Sequence, residues 1–445
     1  MYVVEQFAQF AVDYRVQAMS PEVVHHARRA VIDWHAAALP GAVLPPATSL
    51  ERALSEELGH GSARLMLGQP ATVRLAALVN GTASHIVEVD DIFREAIYHP
   101  GAPTIAAALA LAQSRKVSGE AFLRAVVVGY EISTRIGAAM GRAHYRHWHN
   151  TGTIGCFGAA AAAAEILGLD QARFAHALAT VATFAAGLQQ AFRMDSMSKP
   201  LHAGRAAEAG VTAALAAAEG VTGSLDILEG EAGLGRAMSD GPDWEKALAT
   251  LGRNFHITRI TFKNHACCGH TFAPIDGALA LQAQHGIRAD EIEQIGIGTY
   301  RAALEVAGYE NPATPAEARF SVKYTVASAL THGSVRLAAF EPDRMNDAAT
   351  RALMKKISLT LDPELDAAFP GQRAARVEIR LRDGRVLSCL QPFRKGDPEA
   401  PLSDRELEQK YRELADPVLG SEAAGALLDK LNRLDQLPGL ETLLA

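Results

Sequence analysis

Four short stretches of the chain concentrate side chains that can move protons or hold anions. The first is Glu88-Val89-Asp90-Asp91, followed by Tyr98-His99-Pro100-Gly101. An acidic turn and a His-Pro-Gly loop lead there into an expected helix. A histidine at a helix N-terminus sits among backbone N–H groups that can also hold an anion, and that field lowers its pKa, which suits a general base. The plainer reading makes Asp90 and Asp91 loop caps and His99 a loop hydrogen-bonder.

The second stretch is His144-Tyr145-Arg146-His147-Trp148-His149, then Asn150-Thr151-Gly152-Thr153-Ile154-Gly155. Its histidines suit a metal or an anion. The His147/His149 spacing belongs to a strand or loop, and no carboxylate or cysteine is near, so a carboxylate-binding loop with an acid/base histidine fits better than a metal site. A polar surface loop is the alternative. The third is Met197-Ser198-Lys199-Pro200-Leu201-His202, before a run of small residues. A lysine at a crowded helix start can pair with a carboxylate or stabilise a developing enediolate; otherwise it is an exposed charge. The fourth is Phe262-Lys263-Asn264-His265-Ala266-Cys267-Cys268-Gly269-His270-Thr271. It offers a cysteine nucleophile activated by His265 or His270, or Lys263 as a second cation. Tyr300 ends a later strand and is placed to join Lys263.

The elements that position these residues follow from periodicity and caps. Up to about Phe255 the chain reads as successive helices: Val23 to Ala38, Pro103 to Gln113, Ser118 to Ile136, Thr153 to Leu167, Gln171 to Leu188 and His202 to Glu219. Ser20-Pro21 is a cap followed by proline at the first helical position. The helices are rich in Ala and Gly, so close backbone packing is expected. Near Ile257 the texture changes. Ile257 to Phe262, Ile292 to Tyr300 and Ile357 to Leu361 read as strands, and Arg376 to Cys389 as a hairpin around Asp383-Gly384. Helices near Thr271 to His285 and Ser321 to Thr331 lie between. After Pro401 the chain turns helical, with capping-box spacing at Ser403 and Glu406. A helical domain of residues 1–260 and 401–445 and an α+β domain of 261–400 are expected.

Bulk properties narrow the function. A chain of 445 residues is too long for one ordinary core. A net charge of -7 without a basic stripe argues against a nucleic-acid partner. The N-terminal stretch reads as an amphipathic helix rather than a signal peptide, and no run is apolar enough for a membrane span. Cys156, Cys267, Cys268 and Cys389 form no C-x-x-C pair. That usage fits a reducing, cytoplasmic setting and supports neither a zinc nor an iron–sulfur site.

Taken in order, the motifs are D-D…H-P at Asp90 to Pro100, G-x-x-G-x-x-x-A-A-A at Gly155 to Ala164 and K-P-L-H-x-G-x-A-A at Lys199 to Ala207. K-x-x-x-C-C-x-H-T at Lys263 to Thr271 and F-S-V-K-Y at Phe320 to Tyr324 complete the series. In this order and spacing the chain resembles the MmgE/PrpD family over nearly its whole length. That family includes 2-methylcitrate dehydratase, cis-aconitate decarboxylase and iminodisuccinate epimerase. The resemblance implies a mainly α fold, with a large all-helical domain built from both chain ends and a smaller α+β lid domain. It implies a homodimer with no metal or organic cofactor, and a site between the domains for a small di- or tricarboxylate.

The implied catalytic set is His99, His149, Lys199 and Tyr145, with Lys263, Tyr300 and Asp91 binding substrate. Lys199, Lys263 and His149 would stabilise an enediolate, His99 would act as base, and Tyr145 or Tyr300 as a second acid. The chain carries Glu88 where decarboxylase and epimerase members usually carry Asp, and Ile92 where Thr or Ser is common. The implied reaction is dehydration of a 2-methylcitrate-like hydroxy acid, with epimerisation of an amino- or imino-dicarboxylate and cis-aconitate-type decarboxylation as alternatives.

Overall fold

The structure is a computed structural model that describes residues 1–192 and 196–444. The chain divides into two compact units, Met1–Thr261 with Ser403–Ala445, and Phe262–Leu402.

The larger unit is a stack of helices whose ends are set by local caps. The helix Pro21–Ala42 begins at Ser20, whose Oγ accepts the Val23 N–H. Thr72 and Ser118 cap Val73–Ala83 and Gly119–His144 in the same way, each satisfying one of the N–H groups a helix start leaves bare. Gly119–His144 runs past the expected end at Ile136, and the chain leaves helical geometry only at Gly141, where φ is 68°. The expected helix Thr153 to Leu167 is two pieces, Asn150–Thr153 and Gly155–Ile166. Ser198–Ala218 begins four residues earlier than the periodicity suggested, so Lys199 lies in its first turn. Small residues let these helices meet backbone to backbone. A Cβ on Gly204 would stand 2.1 Å from Thr82 Oγ1 and 2.2 Å from the Leu78 carbonyl oxygen, so Ser198–Ala218 can lie directly on Val73–Ala83 only with glycine there. The C-terminal helix Asp404–Leu419 starts at a Ser403/Glu406 capping box. It joins this unit through Lys410, which is fully buried and paired with Asp33 of Pro21–Ala42.

The chain is mainly α, but the expected combination of an all-helical large domain and a lid is not what forms. Leu58–Arg64 (β1) pairs antiparallel with Pro70–Ala71 (β2) inside the larger unit. The hairpin was not legible because Leu58-Gly59-His60-Gly61-Ser62 is mostly exposed and has neither β-branched residues nor alternation. In the smaller unit, no feature among the described residues marks it as a lid. It is a mixed four-stranded sheet with helices, its strands in the spatial order Ile357–Leu361, Ile292–Thr299, Ala375–Leu381, Val386–Gln391. Ile292–Thr299 (β3) pairs parallel with Ile357–Leu361 (β4) and antiparallel with Ala375–Leu381 (β5), and β5 turns back into Val386–Gln391 (β6). Strand β5 alternates buried and exposed along its whole length, as a strand with one covered face must.

A second correction concerns Ile257 to Phe262. Its β-branched alternation gives no strand: His256–Arg259 is a 3-10 turn. Only Thr261 bridges, exchanging both backbone hydrogen bonds with Ile92 at 2.9 Å. That bridge holds the chain just after Asp90 and Asp91.

Candidate active site

The site is best built outward from the turn that follows Val73–Ala83. His85 lies just past the helix end and the chain then reverses through Glu88, whose φ is 61°. A left-handed backbone is unfavourable for a side chain with a Cβ, and it persists where surrounding contacts hold it. Here the holds are buried. Lys410 donates to the Val89 carbonyl at 2.7 Å while paired with Asp33. Asp91 accepts from the Gly101 N–H at 3.0 Å and from the Tyr130 hydroxyl at 2.6 Å.

These anchors turn the two aspartates in different directions. Asp91 is buried against Tyr130 and the start of Gly101–Arg115. Burial, aided by nearby Asp33 and Asp90, pushes its carboxyl up to about 8 against the hydrogen bond from Tyr130. It is therefore largely a neutral acid at pH 7, engaged with the scaffold. Asp90 faces the histidines: its Oδ2 stands 2.7 Å from His85 Nδ1 and 3.1 Å from His99 Nδ1. Burial alone would raise its pKa, but the two imidazoles hold it well below the usual carboxylate range. Asp90 is thus a buried carboxylate that fixes two rings.

His149 comes from the residue before Asn150–Thr153, where its N–H donates to the Gly187 carbonyl at 2.9 Å. Its ring stacks on His85 with centroids 5.4 Å apart and meets the edge of Phe192 at 4.8 Å. Its Nδ1 stands 3.0 Å from His202 Nδ1, so one ring donates and the other accepts. Gly187 makes room, since a Cβ there would sit 3.2 Å from His202 Nδ1, and its φ of 133° is one that side-chain-bearing residues rarely adopt. Burial, and after it the positive field of His85, Lys199, His202 and His99, drives the His149 pKa well below 6.5. It is a neutral imidazole at pH 7.

Lys199 is paired with Glu88, and its Nζ stands 5.3 Å from the Phe192 ring centroid. Burial would lower its pKa, but Glu88, Asp90 and Tyr145 raise it above the usual value, so it stays cationic. Tyr145 is half-buried at the end of Gly119–His144. His147 is exposed, and His144 is spent on the Met238 carbonyl (2.9 Å) and Thr153 Oγ1 (2.7 Å).

In the smaller unit, burial raises the pKa of the Cys268 thiol, and a backbone hydrogen bond from His270 and the charges of Arg373, Lys263 and Arg394 pull it down. Tyr300 is buried, stacks on Phe369 at 4.6 Å and lies 2.8 Å from His270 Nδ1. Burial pushes Tyr300 up to about 12 and lowers His270 to about 4, helped in the second case by Arg373 and Arg394. The cysteine-nucleophile reading loses its bases here. His265 is taken by Asp276 at 2.9 Å and His270 by Tyr300. Burial also pushes the Cys267 thiol up to about 12, which leaves no thiolate at neutral pH.

Of the residues expected from sequence, His99, His149 and Lys199 are connected in the larger unit through His85, Asp90 and Glu88. Lys263 and Tyr300 share the cationic cluster of the smaller one. Asp91 is tied to Tyr130 and Gly101. Sequence reading passed over His85, His202, Arg373 and Arg394 as site residues, and gave Asp90 no role beyond its motif and a loop cap. His202 had a usable signal, standing three residues after Lys199 on one helix face. His85 had none, because a lone histidine before an acidic turn looks like any loop residue.

Two family models cover this chain: the MmgE/PrpD N-terminal domain over residues 5–247 and the MmgE/PrpD C-terminal domain over residues 265–436. Among curated proteins the chain is similar to a cis-aconitate decarboxylase-like protein of Aspergillus oryzae, 27% identical over 100% of this chain and 96% of that one. It is also similar to the cis-aconitate decarboxylase of Homo sapiens, 27% identical over 98% and 92%. A 2-methylcitrate dehydratase-like protein of Aspergillus oryzae is 26% identical over 39% of this chain and 38% of its own length. No helix among the described residues is long and apolar enough to cross a membrane. With both family domains matched in order along nearly its whole length, the chain belongs to the MmgE/PrpD family.

Proposed function

We propose that this protein is a lyase acting on a small di- or tricarboxylic acid by building negative charge on the carbon next to a carboxylate. The observation that carries the reading is the buried group of His85, Asp90, His99 and His149 beside the half-buried Lys199. It combines a carboxylate-held imidazole, a neutral imidazole and a cation. Charge on an α-carbon spreads into the adjoining carboxylate, and preorganised cations and donors in a water-poor site stabilise it; losing one typically costs about 3 kcal/mol. Lys199 supplies the cation, with a substrate carboxylate taking the place of Glu88. His99, held by Asp90, transfers the α-proton, and His149 donates or accepts at the adjoining oxygen. Within the smaller unit, Lys263 and Tyr300, with Arg373 and Arg394, are suited to bind a carboxylate.

Decarboxylation of a cis-aconitate-like acid is the first candidate, because the relatives matched over nearly their full length carry that name. Dehydration of a 2-methylcitrate-like hydroxy acid is the second. Glu88, in place of the Asp usual in decarboxylase members, and the partial match to the dehydratase-like protein favour it. Incubation with cis-aconitate, 2-methylcitrate and citrate, followed by NMR, tests the assignment. Loss of carbon dioxide or of water from one of them is expected, and no turnover of any would remove the proposal.

A further inference from the structure

His85, Asp90 and His99 have a property that acid/base chemistry does not use. One ligating atom of each lies within 4.8 Å of the other two, and all three residues are buried. Two imidazole nitrogens and a carboxylate oxygen are the donor set of three-ligand zinc sites that keep a fourth position open. In such a site, bonds of ~2.0–2.1 Å place donors about 3.3 Å apart. The nitrogens here stand 2.7 and 3.1 Å from Asp90 Oδ2, about 0.6 and 0.2 Å short of that spacing.

A second observation points the same way. The other oxygen of Asp90, Oδ1, is buried without a hydrogen-bond partner among the described residues. Asp90 is 1% exposed, and the two rings are its side-chain partners. A carboxylate held so far from water requires positive charge beside it. Either a proton shared with an imidazole or a metal cation can supply that charge. Oδ1 gives the cation an additional oxygen ligand.

We propose that His85, Asp90 and His99 form a site for a divalent cation of the zinc type, which replaces the shared proton and inhibits the enzyme by engaging His99 as a ligand. The inhibition, though not the binding, rests on the proposed role of His99. The donor set excludes magnesium and calcium as ligands of choice, since both prefer oxygen. Water or a substrate carboxylate would complete the coordination.

The test uses the full chain, stripped with a chelator and titrated with Co2+ by visible absorption and with Zn2+ by calorimetry. One ion per chain is expected, with the intense d–d bands of a four- or five-coordinate site. Affinity should fall at least about tenfold in D90N and in H85Q and be unchanged in H60Q, an exposed histidine elsewhere. Thermal melts establish that each variant is folded, and H85Q serves if D90N is not. Absence of saturable binding, or binding equally tight in D90N and H85Q, overturns the site. Binding that leaves turnover intact overturns the inhibition. A chain that binds cobalt as described yet turns over none of the acids removes the proposed reaction and leaves the metal site standing.

Discussion

Asp90 and His99 face each other with Oδ2 3.1 Å from Nδ1, and the same oxygen takes His85 at 2.7 Å. A carboxylate at Nδ1 fixes the proton there and leaves Nε2 as the basic nitrogen, so Asp90 selects the tautomer in which His99 can act as a base. Asp90→Asn is nearly isosteric, but its amide can donate to Nδ1 and invert that preference. The expected result is a kcat lower by ~10²–10⁴-fold with KM little changed, read by steady-state kinetics beside a melt showing an intact fold. A folded variant with the parental kcat, or a loss of rate matched by the unfolded fraction, would contradict it.

Lys199 and Glu88 are coupled. Glu88 helps raise the Lys199 pKa, so removing its charge must lower that pKa. In Glu88→Gln the alkaline limb of the rate profile should move to lower pH, because lysine loses its proton sooner. Lys199→Met should lower kcat/KM by ~10²–10³-fold. A rate profile identical in Glu88→Gln and the parent chain would disconnect the pair.

The Lys410–Asp33 pair, 0% exposed on both sides, carries a stability prediction. Breaking a buried pair strands a charge and costs about 3–5 kcal/mol, whereas replacing both partners with apolar groups costs far less. Lys410→Met alone should therefore lower stability by that amount, and Asp33→Leu/Lys410→Met should recover most of it. Because Lys410 also holds the Val89 carbonyl at 2.7 Å, the double variant should refold yet remain slow in turnover. Chemical denaturation and kcat measured on the same samples check both halves.

Stability should fall as the solution is acidified below about pH 6.5. Burial lowers the pKa of His35 to about 4, of His256 to about 3, and of His149 well below the usual value. A group whose folded pKa is depressed binds protons preferentially when unfolded. Its contribution is therefore complete above the unfolded pKa and declines as pH falls toward the folded one. Each such histidine adds about 1.4 kcal/mol per pH unit in that window. Asp91 acts oppositely: its folded pKa of about 8 makes stability decline as pH rises from about 4 to 8. Asp91→Asn removes that decline. Melts from pH 5 to 8 on the parent chain, Asp91→Asn and His256→Gln distinguish the contributions.

Much of this architecture is written in local signals. Ser20, Ser118 and Ser403 cap their helices as their spacing indicates, and Asp383-Gly384 turns β5 into β6. Motif order singled out His99, His149 and Lys199, and the structure groups the first two around His85 and places Lys199 against Phe192, whose ring also meets His149. What escaped depends on tertiary contacts. Ile257 to Phe262 has strand chemistry but finds pairing only at Thr261. The β1–β2 hairpin has pairing without strand chemistry. Asp90 and Asp91 are neighbours of the same type, and only the contacts of Lys410, Tyr130 and Gly101 send one to the histidines and the other to the scaffold.

In the proposed reaction, His99, held by Asp90, and Lys199 act together on the carbon beside a carboxylate. The most direct measurement is single-turnover NMR in deuterated buffer with cis-aconitate and 2-methylcitrate, comparing the parent chain with His99→Gln and Lys199→Met. Product from the parent chain is expected, with solvent deuterium at the α-carbon where a proton is delivered, and rates at least ~10²-fold lower in both folded variants. Product formed at the parental rate by either variant would contradict it.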